Sequence, residues 1–125
     1  MRTFLAAALA TAFAAAPLTA PADTLIHSVN FRTVIRQTRP YVSAGEVRGV
    51  LHLNFYKSGI VTGTYRDEDG SNYMDVSGGR RNREVWFSSN GMRFVGSIHA
   101  LDVLKGSISN WRGSATADMV AKPIH

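Results

Sequence analysis

Ser97, His99 and Asp102 bring together the three side-chain types of a hydrolytic triad, in which a histidine base activates a hydroxyl and a carboxylate orients the base. Their spacing argues against that chemistry. No strand-turn-helix elbow surrounds Ser97, and Ser97 and His99 stand two apart on one strand. His27, His52, His99 and His125 are too scattered for a metal motif, and no metal is expected. Asp67-Glu68-Asp69-Gly70-Ser71-Asn72 is dense in oxygen ligands but lacks the alternating order of a calcium loop, so it reads as an acidic hairpin turn. Arg80, Arg81 and Arg83 form a basic loop whose guanidinium forks suit a phosphate or carboxylate, or else a solvated turn.

The chain has no cysteine, which excludes thiolate nucleophiles, cysteine-ligated metals, disulfides and a lipid-modified N-terminal cysteine. No catalytic constellation can be assembled and no cofactor is implied, so catalysis is not expected. The formal charge of +5 comes from eleven arginines and three lysines against nine acidic residues, spread over strands and turns. A positive field of this size favours anionic surfaces such as lipopolysaccharide, nucleic acid or an acidic protein, or simply keeps the protein soluble. With no cationic helix, a nucleic-acid partner is not expected.

The elements that must position these residues are strands. From Val47 onward apolar and polar residues alternate with period two: Leu51, Leu53, Phe55; Val61, Gly63, Tyr65; Phe94, Gly96, Ile98; Leu104, Gly106, Ile108. Turn residues separate the runs at Lys57-Ser58-Gly59, Asp67 to Gly70, Gly78-Gly79 with Arg80-Arg81-Asn82, and Ser89-Asn90-Gly91. A type I′ turn at Asn90-Gly91 pairs Phe87 with Phe94 and Val85 with Gly96. A three-residue loop ending in a left-handed Gly59 pairs Phe55 with Val61, Leu53 with Gly63 and Leu51 with Tyr65. A third hairpin about Ser109-Asn110 would pair Ile108 with Trp111, Gly106 with Gly113 and Leu104 with Ala115. The segment Thr24 to Glu46 is expected to supply a first strand and a long connection, interrupted by Arg36, Arg39 and Pro40.

A motif apolar-x-Gly-Ser/Thr recurs at Val61, Phe94, Leu104 and Trp111, each time placing glycine mid-strand on the inner face. Such glycines suit tight coiling of a closed sheet or leave room for a neighbouring ring. The expected fold is all-β: one antiparallel meander closing into a barrel of about eight strands, with a β-sandwich as the alternative. Its inner face carries a single ionisable group, the Tyr65 phenol. Trp86 falls on the outer face between Glu84 and Ser88, where it anchors a partner or is covered by the N-terminal segment or a long loop.

Before the domain, Met1-Arg2-Thr3 is a short positive start, Phe4 to Ala16 is an apolar run, and Ala20-Pro21-Ala22 is a small-x-small cleavage signal. The 13-residue run falls short of the roughly 20 residues a membrane-spanning helix needs. Residues 1–22 therefore read as a signal peptide and 23–125 as the mature domain, periplasmic or secreted.

Gly59-Ile60-Val61-Thr62-Gly63-Thr64-Tyr65 resembles the Gly-x-apolar-Thr-Gly-Thr-Tyr strand of the avidin family, and the hairpin order is similar to the eight-stranded barrels of avidins and lipocalins. The resemblance spans Val47 to Ala121 as a pattern. It implies a barrel in which Tyr65 lines a pocket, with Phe94 near where a pocket tryptophan would stand. The tryptophan-bearing first strand and the C-terminal pocket aspartate of that family are missing, so architecture carries over and biotin binding does not.

Two functions follow as expectations. In the first, the barrel mouth holds a small, mainly apolar ligand, with Tyr65, Trp111 and Phe94 shaping the site. In the second, Trp86 and Arg80, Arg81 and Arg83 contact an exported protein, as in an inhibitor or accessory subunit.

Overall fold

A computed structural model describes residues 23–40, 45–110 and 115–124. The leader assigned to residues 1–22 lies outside them. Eight strands follow one another: β1 (Leu25–Arg39), β2 (Glu46–Tyr56), β3 (Ile60–Asp67), β4 (Tyr73–Arg81), β5 (Glu84–Ser89), β6 (Met92–Ile98), β7 (Leu104–Asn110) and β8 (Thr116–Pro123). Each pairs antiparallel with its neighbour and β8 returns to β1, so the meander closes into an eight-stranded barrel rather than a sandwich. Closure removes the edge strands that an open sheet of this size would leave unpaired. In general shape this agrees with the barrels the sequence resembles.

Two of the three predicted hairpins have the expected register. Phe87 faces Phe94 and Val85 faces Gly96 across a turn in which Asn90 (φ 37°) and Gly91 (φ 85°) are both left-handed. Phe55 faces Val61 and Leu51 faces Tyr65, with Gly59 at φ 96°. The third differs: Ile108 pairs with Ala117, Gly106 with Met119 and Leu104 with Ala121. Ser109-Asn110 lacks the glycine that a tight primed turn favours, and both residues continue β7. Asn110 instead closes the strand ends, its backbone N–H donating to the Ala115 carbonyl at 3.2 Å. Ala117 lies an even number of residues beyond Trp111, so the slip leaves the same side chains facing inward.

Two other segments depart from expectation. Gly78 to Arg81 belong to β4, and the turn is Asn82-Arg83, with Asn82 at φ 56°. Gly79 lies under the Trp86 ring, where an added Cβ would meet the indole at 2.7 Å, so this glycine serves packing rather than a turn. Arg36 and Arg39 do not interrupt β1, whose inward series Phe31, Thr33, Ile35 and Gln37 continues the alternation while the arginines Arg32 and Arg36 face outward. Two polar members in that inner series hide the period from a hydropathy reading.

The core is the barrel interior. Leu51, Leu53, Val61, Val85 and Leu104 are wholly buried, and Phe31, Phe55, Phe87, Phe94 and Met119 complete it. Each such side chain stabilises the fold by about 1.5–3 kcal/mol relative to exposure. Phe87 and Phe94 stack with centroids 4.7 Å apart. The Phe94 ring occupies the space that side chains at Gly96 and Gly106 would need, since a Cβ at either would come within 2.7 Å of it. One expected use of the repeated glycines is therefore present. At the Val61 copy an added Cβ on Gly63 would meet the His52 carbonyl rather than a ring, and the copy at Trp111 lies outside the described residues.

Candidate functional site: the barrel mouth

Consider the two ends of the barrel separately. The mouth carries the β1–β2, β3–β4, β5–β6 and β7–β8 connections; the base carries the other three and the first described residues.

At the mouth one inward row crosses four strands, from Ala121 through Thr33 and Gly49 to Asp67. The Tyr65 hydroxyl reaches into this row and donates to Asp67 Oδ1 at 2.6 Å. Gly49 makes that reach possible, because a Cβ there would stand 2.5 Å from the phenol oxygen. Asp67 is buried, and its Oδ2 accepts from Asn72 Nδ2 at 2.6 Å and Ser71 Oγ at 3.1 Å. The carboxylate thus ties the β3–β4 turn to the barrel wall and has its oxygens occupied. Burial, reinforced by the hydrogen bond and the charge of Asp67, pushes the Tyr65 phenol well above its ordinary value of 10.0. Thr33 Oγ1 is buried close enough to favour the phenolate slightly, but its geometry falls short of a hydrogen bond.

Beside this row the interior opens. A cavity of about 360 Å³ is lined by Ile35, Val47, Met92, Ile108, Ala115 and Ala117, with Gln37, Asn110 and Thr116 as its polar members. Val47 (45 %) and Met92 (42 %) stay exposed although both sit on the inward register of their strands. Deeper lies a hollow of about 70 Å³ bounded by Leu51, Tyr65, Met74, Phe87 and Phe94; it shares Met92 and Ile108 with the outer cavity. Tyr65 and Phe94 therefore meet at this inner hollow, as two parts of one wall. Trp111, the third residue assigned to the pocket, lies outside the described residues.

The base is lined differently, around a hollow of about 350 Å³ bounded by Ile26, His27, Phe55, Ile60, Arg80 and Asn82. His27 stacks on Phe55 with centroids 5.0 Å apart, and the Arg80 guanidinium stands 5.3 Å above the same ring while its Nε donates to the Asn82 carbonyl at 2.7 Å. Arg80 is therefore separated from Arg81 and Arg83, which remain exposed on the surface. The expectation of one ionisable inner residue is corrected: His27, paired with the inward Phe55, lies on the inward register, and so do Asp67 and Arg80, each two residues past an inward neighbour, Tyr65 and Gly78. Extending the alternation by one step at each strand end would have found the last two.

On the outside, Ile60, Gly79, Trp86 and Val95 form one register row across β3 to β6. Ile60, Trp86 and Val95 are exposed to 50, 38 and 55 %. Trp86 is thus not isolated but part of an exposed apolar row. Ser97 Oγ and His99 Nε2 are 3.1 Å apart, but among the described residues Asp102 makes no hydrogen bond to His99. No helix of the described residues is long and apolar enough to cross a membrane.

The chain matches no family model, no curated protein and no solved structure.

Proposed function

We propose that this chain is an exported, non-catalytic binding protein that takes a small, mainly apolar ligand at the mouth of its barrel. The observation that carries the reading is the cavity of about 360 Å³ walled by Ile35, Val47, Met92, Ile108, Ala115 and Ala117. Its volume falls in the range of about 300–1,000 Å³ usual for small-molecule sites. Its few polar groups, Gln37, Asn110 and Thr116, suit orientation of one polar substituent rather than recognition of a charge. The test is a titration with N-phenylnaphthylamine, a neutral probe that brightens in apolar surroundings. Saturable binding by the native chain, weakened about tenfold in Ala117→Leu because the new side chain fills the cavity, supports the proposal. Equal binding by both, or none by the native chain, overturns it.

A second reading is a protein-interaction module, favoured by the exposed row Ile60, Trp86 and Val95 with Arg81 and Arg83 at its edge. Exposed tryptophan and arginine are the side chains most often found as interface anchors. Native mass spectrometry of the chain from its own compartment separates the two readings, by a small-molecule adduct or by a retained second protein.

A further inference from the structure

The outer wall formed by β8, β1 and β2 carries a charge arrangement that neither reading uses. Lys122 and Arg32 stand directly opposite each other on adjacent strands. Like charges in that relation repel and weaken the sheet. The same row continues through Val50 to Arg66. Among the described residues Arg32, Lys122 and Arg66 have no hydrogen-bond or ion-pair partner.

Four residues along β1 the charges balance. There Arg36 lies between Asp118 on β8 and Glu46 on β2, and it bonds to Glu46. Glu46 also accepts from Arg48 at 3.2 Å. The hydrogen bond from Arg36 holds this carboxyl below its ordinary range, so the carboxylate is committed to Arg36 and Arg48. Between the balanced row and the unbalanced one lies an outward groove of about 560 Å³, its floor made by Val34 and Val120 and its rim by Pro123 and Ile124, with Arg32, Arg48 and Lys122 around it. Two cations, Arg32 and Lys122, beside an aliphatic floor match a molecule with an acid head and a hydrocarbon tail: guanidinium and ammonium groups take the oxygens, and the valines cover the first methylenes.

We infer that this groove is a second binding site, separate from the mouth, for an anionic amphiphile whose acid head group lies between Arg32 and Lys122. An acid there screens the opposed cations and seats its chain on Val34 and Val120. The site stands on the other side of the wall from the mouth cavity and shares none of its lining residues, so it does not depend on the mouth being a ligand site.

The test is isothermal titration of the native chain with octyl phosphate below its micelle concentration, beside inorganic phosphate and the neutral octyl glucoside. Octyl phosphate is expected to bind about tenfold or more tightly than either control, and to fall to the level of the glucoside in the double variant Arg32→Gln/Lys122→Gln, while Ala117→Leu binds as the native chain does. Retained binding in the double variant, or loss in Ala117→Leu, overturns the assignment to the groove. Equal affinity for inorganic phosphate overturns the role of the aliphatic floor. Independently of any ligand, Arg32→Gln alone is expected to raise the thermal midpoint at low salt and to leave it unchanged at high salt. No rise at low salt removes the uncompensated repulsion on which the inference stands.

Discussion

The two ends of this barrel are built from the same strands, yet the base carries a plug of His27, Phe55 and Arg80 beside a hollow of about 350 Å³, and the mouth opens on an apolar cavity of about 360 Å³. At the base Phe55 is almost wholly buried, with a histidine ring on one side and a guanidinium above it. At the mouth Ile35, Val47 and Met92 line the cavity, and Val47 and Met92 stay exposed. Eight strands enclose an interior that side chains can fill completely or leave partly hollow. The difference teaches that the residue types at the strand ends, not strand number, decide what kind of molecule each end suits.

The largest expected effect tests that contrast directly. Phe55→Ala should destabilise the fold by about 3–5 kcal/mol, as large truncations in packed cores do, whereas Ile35→Ala at the half-buried mouth should cost about 1 kcal/mol. Urea denaturation of the two variants decides it; equal costs would mean that the mouth is packed as tightly as the base.

Next comes Gly49→Ala. Its Cβ would fall 2.5 Å from the Tyr65 hydroxyl, which must swing away from Asp67 or push the strands apart, at a cost of about 2 kcal/mol. Combining it with Tyr65→Phe should recover part of the loss, because the clash with the phenol oxygen disappears while those with the Arg66 carbonyl, at 2.6 Å, and the ring carbon, at 2.7 Å, persist. Additive losses in the double variant would show that Gly49 matters for backbone reasons alone.

Tyr65→Phe by itself should cost about 1–2 kcal/mol, since it leaves Asp67 Oδ1 buried without its donor. It should also change the alkaline limb of stability. The folded phenol holds its proton above the pH at which the unfolded chain, near 10.0, releases it. The native state then binds more protons than the unfolded one, so stability is full below pH 10.0 and falls as pH rises beyond it, by at most about 1.4 kcal/mol per pH unit. Tyr65→Phe should lack this contribution. An alkaline slope unchanged by the substitution would mean that the phenol is not desolvated at the mouth.

Much of the fold was legible in the sequence, and the parts that were not fail for identifiable reasons. Turns with left-handed residues, Asn90-Gly91 and Gly59, fix their hairpins because few other geometries accept those residues. Ser109-Asn110 offers no such constraint, and alternation alone fits several registers of equal parity. Thr33 and Gln37 obscured how far β1 runs, since polar side chains on an inner face break a hydropathy pattern without breaking a strand. Tyr65 and Phe94 were placed on the inner wall by parity. The opening beside them was invisible, because it depends on how far Ile35, Val47 and Met92 reach across three dimensions. Asp67 was read as a turn residue because its neighbours Glu68 to Asn72 are turn residues, although its parity puts it inside.

The smallest effect concerns the plug. Arg80 contributes a cation over Phe55 and a hydrogen bond to the Asn82 carbonyl, and Arg80→Met keeps the aliphatic stem while removing both. A partly screened cation–π contact contributes about 0.5–1 kcal/mol, so the loss should be of that order and should shrink little with salt, because the attraction is to a ring quadrupole and not to a distant charge. A loss below measurement would assign the closure of the base to the stacked His27 and Phe55 rings, leaving Arg80 as a solvated neighbour of Arg81 and Arg83. A loss well above this range would mean instead that the guanidinium helps fix the β4–β5 turn through Asn82, and that the two ends differ in rigidity as well as in filling.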